Sequence, residues 1–294
     1  MLADAIRSAL AQDYPHKQLI VIDDGSTDET RQLVSAFAGV EYYYQPNQGQ
    51  AAARNAGLRH SRGEYIASLD SDDIWESNFL SAGLTQLHKH QADFVFLNWQ
   101  VAQGPSDLDD LCQRPEGQRY LTRPDGDWWL LTPAQTRRIM VETCPAPSSA
   151  FVLRRAAVSR WNEQMRIADD WSMLLGLVLA RPSVGAFTLR PHWFKRVHTQ
   201  NLYDGRDFLA VTRELFFHDE PLLLLHYGQK LLPAERQLFR QRQARYHYDY
   251  AAVGRPGQLG VPAFLKHLAI AFWLAPLGSW RRLRTYLRTY LKSR

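Results

Sequence analysis

Apolar and polar residues over the first two hundred positions form short strand-like runs and longer helical stretches. Leu19-Ile20-Val21-Ile22 is an apolar, mostly β-branched run that ends in Asp23-Asp24-Gly25-Ser26, a pattern typical of a buried strand meeting a turn. The same criteria predict strands over 40–45, 64–69, 93–99, 149–153 and 187–189, and helices over about 28–37, 50–60, 78–90 and 169–180. This alternation predicts an α/β fold built on a mostly parallel sheet.

Two segments depart from the alternation. The stretch from Ala102 to about Pro133 is rich in Gly, Pro, Asp and Gln, so we predict a long loop or insertion near one end of the sheet. Beyond Arg206 the chain is rich in Leu, Phe, Tyr and Arg with helical periodicity. The predicted domains are therefore residues 1–205 for the α/β domain and 206–294 for a helical C-terminal extension.

The positive charge of the chain is a property of its C-terminus. The formal net charge is +5, and residues 281–294 contain five Arg, one Lys and no acid. Two interpretations of this tail stay open: a basic amphipathic helix on an anionic membrane surface, or a helix packed on the α/β domain with its arginines in solvent. Nucleic acid is not an expected partner, because the cations are confined to one short tail.

Cysteine content and the ends of the chain bear on its location. Cys112 and Cys144 form neither a disulfide framework nor a metal-ligand spacing, so a reducing cytoplasm is expected. The N-terminus carries no recognisable signal peptide. The most apolar stretch, from Val261 to Trp280, contains Lys266 and is interrupted by Pro276, so it is not predicted to span a membrane. The expected location is the cytoplasm, with peripheral contact at the inner face of the membrane left open.

Acidic clusters occur where predicted strands or loops end, at 23–24, 70–73 and 169–170. Ligands of open parallel sheets bind beyond the carboxyl ends of the strands. Mg²⁺ and Mn²⁺ prefer oxygen ligands and usually keep waters and substrate phosphates in their shell, so Asp70-x-Asp72-Asp73 is a candidate metal site. Each cluster taken alone is also compatible with a solvated turn that caps the following helix.

Taken together, these stretches resemble the family 2 glycosyltransferases of the GT-A fold. The matching text runs from Ala9 to Pro15, from Leu19 to Asp28, from Asn47 to Gly57 and from Gly63 to Asp73, in matching order, spacing and strand context. The resemblance covers about residues 1–205. It implies a GT-A, Rossmann-like, mostly parallel sheet flanked by helices, and an inverting transfer of sugar from a nucleoside-diphosphate sugar.

The resemblance assigns four residues to the nucleotide-sugar donor: Asp24, Arg54, Asp70 and Asp73. Asp24 corresponds to the carboxylate that contacts the nucleobase, and Asp70 is expected nearer the ribose. Arg54 corresponds to a basic residue near the nucleotide, although its position on a helix is equally compatible with a surface arginine. The donor is expected to be a UDP- or dTDP-sugar.

The resemblance also assigns the metal and the base. Asp72 is expected to ligate Mn²⁺ or Mg²⁺ at the diphosphate, and His198 to approach the metal or the diphosphate. Asp170, the second member of the pair Asp169-Asp170, corresponds to the catalytic base that deprotonates a hydroxyl of a glycan or lipid-linked acceptor. The stretch 147–151 resembles the segment that lines the acceptor side.

Two departures from the family pattern matter. Members normally begin with an apolar strand that this chain lacks, so the first strand of the sheet is expected to be missing, through either a start codon assigned too late or a truncation. The Gln-x-x-Arg-Trp motif of processive synthases is absent after Asp170, which favours transfer of single sugars. The alternatives are a non-catalytic or truncated relative that binds sugar nucleotide and, less favoured, a sugar nucleotidyltransferase, which should show a Gly-rich phosphate loop near the N-terminus.

Overall fold

The computed structural model describes residues 1–102, 104–199 and 201–292, with side chains except at 255, 256 and 285–292. The chain divides into two compact units. The first comprises Met1–Gln164 and Asp169–His198, and the second comprises Met165–Ala168 and the chain from Thr199 onward.

The first unit combines helices and strands. Its helices are α1 (Leu2–Leu10), α2 (Thr30–Ser35), α3 (Gln50–His60), α4 (Phe79–Lys89), α5 (Asp107–Gln113), α6 (Pro133–Glu142) and α7 (Asp169–Ala180). Its strands are β1 (Leu19–Asp24), β2 (Val40–Gln45), β3 (Tyr65–Ala67), β4 (Ile74–Trp75), β5 (Phe94–Val101), β6 (Pro124–Asp125), β7 (Trp128–Leu131), β8 (Phe151–Arg154) and β9 (Gly185–Lys195). The predicted α/β architecture, with a sheet flanked by helices, is therefore confirmed.

Strand pairing differs from the prediction of a mostly parallel sheet. β1 and β2 form a parallel pair, and a larger sheet has the order β3-β8-β5-β9-β7-β6, with β4 also paired to β9. Within this larger sheet β5 and β9 are parallel, whereas the other pairings are antiparallel. The two-residue connection between β6 and β7 can join only antiparallel strands, and Gly126 adopts the positive φ of +58° that such tight turns require.

The stretch predicted as a long loop or insertion contains regular structure, so it is not a long loop, and its being an insertion stays a prediction. Ser106 caps α5 in a reciprocal box with Asp109, and the hairpin β6–β7 extends the larger sheet along β9. The Gly, Pro and Asp residues that suggested a loop serve here as a helix cap and hairpin turn. These residues correctly indicated turns. The strands between the turns were too short to show the alternation of apolar and polar residues that marks a strand.

The core lies on both faces of the larger sheet. Phe94 to Leu97 in β5 are fully buried. α4 approaches the sheet closely at Gly83, where an added Cβ would lie 2.9 Å from a methyl of Val152. The apolar residues of α7 are also buried, and the indole of Trp171 donates to the carbonyl of Met140 in α6 at 2.6 Å. These contacts fix the start of α7, where the acidic pair lies.

The second unit is helical, as predicted. It contains α8 (Phe208–Val211), a π-helical segment (Thr212–Asp219), α9 (Glu220–Tyr227), α10 (Pro233–Leu259), α11 (Val261–Leu274) and α12 (Pro276–Lys292). Asp219 is fully buried and accepts hydrogen bonds from the backbone N–H groups of residues 166, 167 and 168 at 2.8–3.1 Å, which ties Met165–Ala168 to this unit. Among the described residues, no helix is long and apolar enough to cross a membrane.

Candidate active site

Arg54 lies at the centre of the acidic residues that the sequence singled out. Its Nη2 donates to Asp70 Oδ1 at 2.8 Å, and its Nη1 donates to Asp169 Oδ2 at 2.5 Å and lies 3.2 Å from Asp170 Oδ1. The guanidinium is 10% exposed, so Arg54 is not a surface arginine. One cation therefore joins the middle of α3, the segment after β3 and the start of α7.

Burial and charge oppose each other in this Arg54 cluster, which we define as Arg54, Asp70, Asp169 and Asp170. Burial raises the pKa of Asp170, and the positive charge of Arg54 acts against that rise. Burial and the neighbouring Asp170 likewise raise the pKa of Asp169. Burial acts to lower the pKa of Arg54, but the three carboxylates outweigh it and keep the guanidinium charged.

Asp170 is the member of the acidic pair that is open to solvent. Its side chain is 16% exposed, whereas that of Asp169 is fully buried. The indole Nε1 of Trp161 donates to Asp170 Oδ1 at 3.0 Å. The side-chain amide of Asn55 holds Trp161 in place, because it accepts from the backbone N–H of Trp161 and donates to the backbone C=O of Trp161. A small pocket beside the Asp170 carboxylate is lined by Ile66, Ser68, Phe151, Leu153, Trp161 and Met173. A carboxylate held in one orientation can accept a proton from a hydroxyl bound beside it.

Two serines connect the Arg54 cluster to the next acidic residues. Ser148 Oγ accepts from Arg54 Nη2 at 2.6 Å and lies within hydrogen-bond distance of Asp70. Ser149 Oγ accepts from the backbone N–H of Asp70 at 3.0 Å and donates to Asp73 Oδ2 at 2.7 Å. The sequence placed these residues in a segment on the acceptor side and missed their hydroxyl contacts, because a Ser-Ser pair carries no signal for a partner about 76 positions away.

Asp73 makes structural contacts, and its predicted role in donor binding stays a prediction. Its carboxylate is 3% exposed, and its two oxygens accept from Ser149 Oγ and from the backbone N–H of Arg196 at 3.2 Å. Burial and the charge of Asp70 raise the pKa of Asp73 to about 7. A residue enclosed in this way links the acidic turn to the chain just after β9.

Asp72 and His198 come together as a pair. His198 Nε2 lies 3.0 Å from Asp72 Oδ2, and both side chains remain partly exposed. A carboxylate and an imidazole fit Mn²⁺, and a carboxylate fits Mg²⁺. No group of three His, Cys, Asp or Glu residues able to hold a metal occurs in the described part of the chain. A cation here would therefore take these two protein ligands and complete its shell with waters and donor phosphates.

Asp24 makes a separate set of contacts. Its Oδ1 accepts from Gln45 Nε2 at 2.7 Å and from the backbone N–H of Gln48 at 2.9 Å, and its Oδ2 accepts from the N–H of Gly49 at 2.7 Å. These bonds fix the loop that leads into α3, the helix that carries Arg54. The structure thus gives Asp24 a role in loop geometry, and its predicted contact with the nucleobase stays a prediction.

Comparison with known proteins identifies the family. Residues 1–161 match the sequence model of glycosyl transferase family 2, which is more than half of the chain. The chain belongs to this family. An uncharacterized glycosyltransferase of Haemophilus influenzae is 46% identical over 222 residues, which cover 74% of this chain and 87% of that protein. The acidic pair 169–170 and His198 lie beyond the residues that the family model matches.

Two other glycosyltransferases are matched over shorter lengths. The putative teichuronic acid biosynthesis glycosyltransferase TuaG of Bacillus subtilis is 34% identical over 125 residues, 40% of this chain and 50% of that protein. The UDP-Glc:alpha-D-GlcNAc-diphosphoundecaprenol beta-1,3-glucosyltransferase WfgD of Escherichia coli is 36% identical over 103 residues, 34% of this chain and 41% of that protein. The chain thus matches half or less of the length of these two relatives.

Solved structures confirm the GT-A fold of this family 2 member. S. aureus TarS 1-349 superposes with a TM-score of 0.62 at 17% identity, covering 94% of this chain and 77% of that chain. Its complex with UDP-GlcNAc gives a TM-score of 0.58 at 16% identity, covering 96% and 88%. At these identities the likeness concerns the fold alone.

Proposed function

We propose that this chain transfers a single sugar from a UDP- or dTDP-sugar to a hydroxyl of a glycan or lipid-linked acceptor, with inversion at the anomeric carbon. The observation that carries the proposal is the Arg54 cluster. One buried guanidinium joins Asp70, assigned to the donor side, to Asp170, assigned as the base. The same guanidinium thus holds the carboxylate on the side of the sugar donor and the carboxylate that accepts the proton. This arrangement fits a reaction in which the donor sugar and the acceptor hydroxyl meet at one carbon.

Asp170 is the proposed general base. In the proposed reaction it takes the proton of the acceptor hydroxyl while that oxygen attacks from the face opposite the diphosphate, so the configuration inverts. Its raised pKa brings its basicity closer to what proton transfer near neutral pH requires. The hydrogen bond from Trp161 holds the carboxylate in one orientation.

Asp72 and His198 are the residues that would hold Mn²⁺ or Mg²⁺. When bound, such a cation would stabilise the negative charge that grows on the leaving diphosphate. Asp70 is kept in place by Arg54 and Ser148, so its role in the proposal is to orient the donor.

Relatives support the proposed substrates. WfgD is named for a UDP-Glc donor and a diphosphoundecaprenol-linked acceptor, TuaG for teichuronic acid biosynthesis, and a TarS structure contains UDP-GlcNAc. By analogy, we assign this chain to the assembly of cell-envelope polysaccharide. A lipid-linked acceptor would bring the chain to the inner face of the cell membrane.

A donor-hydrolysis screen tests the proposal. Purified protein is incubated with Mn²⁺ or Mg²⁺ and each common nucleotide sugar, and release of the nucleoside diphosphate is followed. We expect metal-dependent release from one donor, which Asp72→Ala abolishes. With an acceptor present, Asp170→Asn should lower transfer by about 10²–10⁴-fold. Asp127→Asn, on the exposed β6–β7 turn, is the matched control and should retain activity.

The opposite outcome has a definite meaning. If no donor is hydrolysed but calorimetry detects binding of one sugar nucleotide, the chain is a non-catalytic relative. If Asp170→Asn matches the control in transfer, Asp170 is not the base, and the proposed mechanism is overturned.

A further inference from the structure

The exposed face of α11 is apolar. Val261, Leu265, Ala269 and Trp273 are all exposed and recur every four residues, which places them along one side of the helix. Trp273 is 82% exposed. Surface helices of globular proteins usually turn their apolar side inward and their polar side to water. α11 therefore presents to its surroundings the kind of surface that a helix normally buries.

The start of α12 continues this character. Leu277 is 78% exposed, and Trp280 is more than half exposed while its ring makes a T-shaped contact with Phe272 at a centroid distance of 5.2 Å. We call Val261, Leu265, Ala269, Trp273, Leu277 and Trp280 the Trp273 face. Monomeric soluble proteins rarely expose several large apolar side chains together, and such patches mark interaction sites.

The stretch of sequence that contains the Trp273 face carries charge of one sign. Asp249 is the last acid of the chain, and it pairs with Arg282 at 3.3 Å and with Arg245 at 3.4 Å. Residues 250–294 then contain eight cations and no acid: Arg255, Lys266, Arg281, Arg282, Arg284, Arg288, Lys292 and Arg294. Lys266 and Arg284 are exposed. A partner for this region must supply negative charge next to apolar volume.

We propose that the Trp273 face binds the surface of a lipid bilayer that contains anionic headgroups. Exposed tryptophan and leucine enter the boundary between headgroups and acyl chains, where indole rings are favoured. Lysine and arginine beside them contact the lipid phosphates. A second copy of this chain would bring the same cations against each other, so charge complementarity favours the bilayer. This inference deepens the proposed function, since it specifies how the chain meets a lipid-linked acceptor, and it rests on that function for its purpose.

Vesicle sedimentation with the full chain tests the proposal. We expect binding to vesicles of phosphatidylcholine mixed with phosphatidylglycerol, weak binding to phosphatidylcholine alone, and weaker binding at high salt. The double variant Trp273→Ser with Leu277→Ser should bind the mixed vesicles at least about tenfold more weakly. Leu225→Ser is the matched control, because Leu225 in α9 is 76% exposed and lies outside the Trp273 face.

Variants that remove positive charge test whether cations beside the Trp273 face contribute to binding. Lys266→Gln with Arg284→Gln should weaken binding to the mixed vesicles, whereas Arg240→Gln, an exposed residue of α10, should not. Thermal unfolding verifies that each variant is folded. Equal vesicle binding by the Trp273-face variants and the controls would overturn the proposal. So would a failure of the parent chain to bind anionic vesicles, or a concentration-dependent dimer that protects Trp273 from a fluorescence quencher.

Donor hydrolysis measured on the same preparation without vesicles separates this inference from the proposed function. Vesicle binding without hydrolysis of any donor would overturn the proposed function alone. Hydrolysis without vesicle binding would overturn the membrane inference alone.

Discussion

Two acidic turns that look alike in sequence have different environments in the structure. Asp23-Asp24 ends β1, and Asp70-Ser71-Asp72-Asp73 follows β3. In the first turn, neutral donors satisfy the carboxylates: the hydroxyl of Tyr42 donates to Asp23 at 2.6 Å, and backbone N–H groups donate to both acids. In the second turn, the carboxylates crowd together, and Arg54 is the cation that bonds Asp70.

The pKa values show the consequence. Asp23 is 4% exposed and Asp73 is 3% exposed, but Asp73 is enclosed by more of the protein than Asp23 is. Burial acts to raise the pKa of Asp23, but the bonds from Tyr42 and Ser26 outweigh it, and the pKa is lowered. Burial and Asp70 raise the pKa of Asp73 despite the bond from Ser149. Depth of burial and neighbours therefore act together: Asp73 is the more enclosed acid and lies beside another carboxylate, whereas Asp23 receives hydrogen bonds from a hydroxyl and from amides.

Of the substitutions that test this difference between the two turns, replacement of Arg54 should lower the free energy of unfolding the most. Arg54→Met leaves three carboxylates of the Arg54 cluster without their cation, so we expect the free energy of unfolding to fall by about 3–5 kcal/mol. Urea unfolding measures it. Arg62→Met is the matched control, because Arg62 makes an exposed ion pair with Glu41, and its loss should stay below about 1 kcal/mol. Similar losses in both variants would show that the Arg54 cluster contributes little to stability.

Asp24→Ala should have a smaller effect in the first turn. It removes the acceptor for two backbone N–H groups and for Gln45, which predicts a loss of about 1.5–3 kcal/mol in the free energy of unfolding. Hydrogen exchange should accelerate at Gln48 and Gly49 in particular. Unchanged exchange at these two amides would mean that Asp24 does not fix the loop into α3.

The acid limb of the transfer rate probes the Arg54 cluster without a mutation. Asp170 must be deprotonated to act as a base, and burial raises its pKa. Transfer should therefore fall as the pH drops through a midpoint above the usual aspartate value of 3.8, by about tenfold per pH unit below it. A rate that stays constant down to pH 4 in a folded protein would contradict this assignment.

Tyr42→Phe should have the smallest effect. The variant removes one hydrogen bond to the ionised Asp23, so we expect a loss of about 1 kcal/mol at pH 7. Because the folded pKa of Asp23 lies below its usual value of 3.8, the stability from this bond is present above that value. The loss should therefore shrink as the pH falls below it. Unfolding curves of both proteins at neutral and acidic pH measure the difference, and a loss that is independent of pH would indicate a packing defect instead.

Local patterns in the sequence predicted several elements to the residue. The predicted helices 50–60 and 169–180 and the predicted strand 40–45 coincide with α3, α7 and β2. Apolar periodicity and capping residues are local signals, so one stretch of chain is enough to reveal them. The strand predicted over 64–69 is shorter in the structure, Tyr65–Ala67, because pairing with β8 ends at Ala67, before the acidic turn.

Contacts between distant parts of the chain were not predictable in this way. The sequence indicated that Arg54 and Asp169 belong to one site, but 115 positions separate them, and nothing local shows that the guanidinium lies among three acids. The same holds for Asn55 and Trp161, which bond through the Asn55 side chain and orient the indole toward Asp170. Asp73 is a further case: its motif suggested a ligand contact, which stays a prediction, and only the structure revealed its hydrogen bond with Ser149.

Asp219 bears on how chimaeras of this family should be designed. Because its carboxylate accepts the backbone N–H groups of residues 166–168, those residues depend on the C-terminal helices although they precede α7. A hybrid joined at position 198 would take these residues and Asp219 from different parents. Crossover points should instead keep both from the same parent, or the recipient should supply an acidic residue equivalent to Asp219.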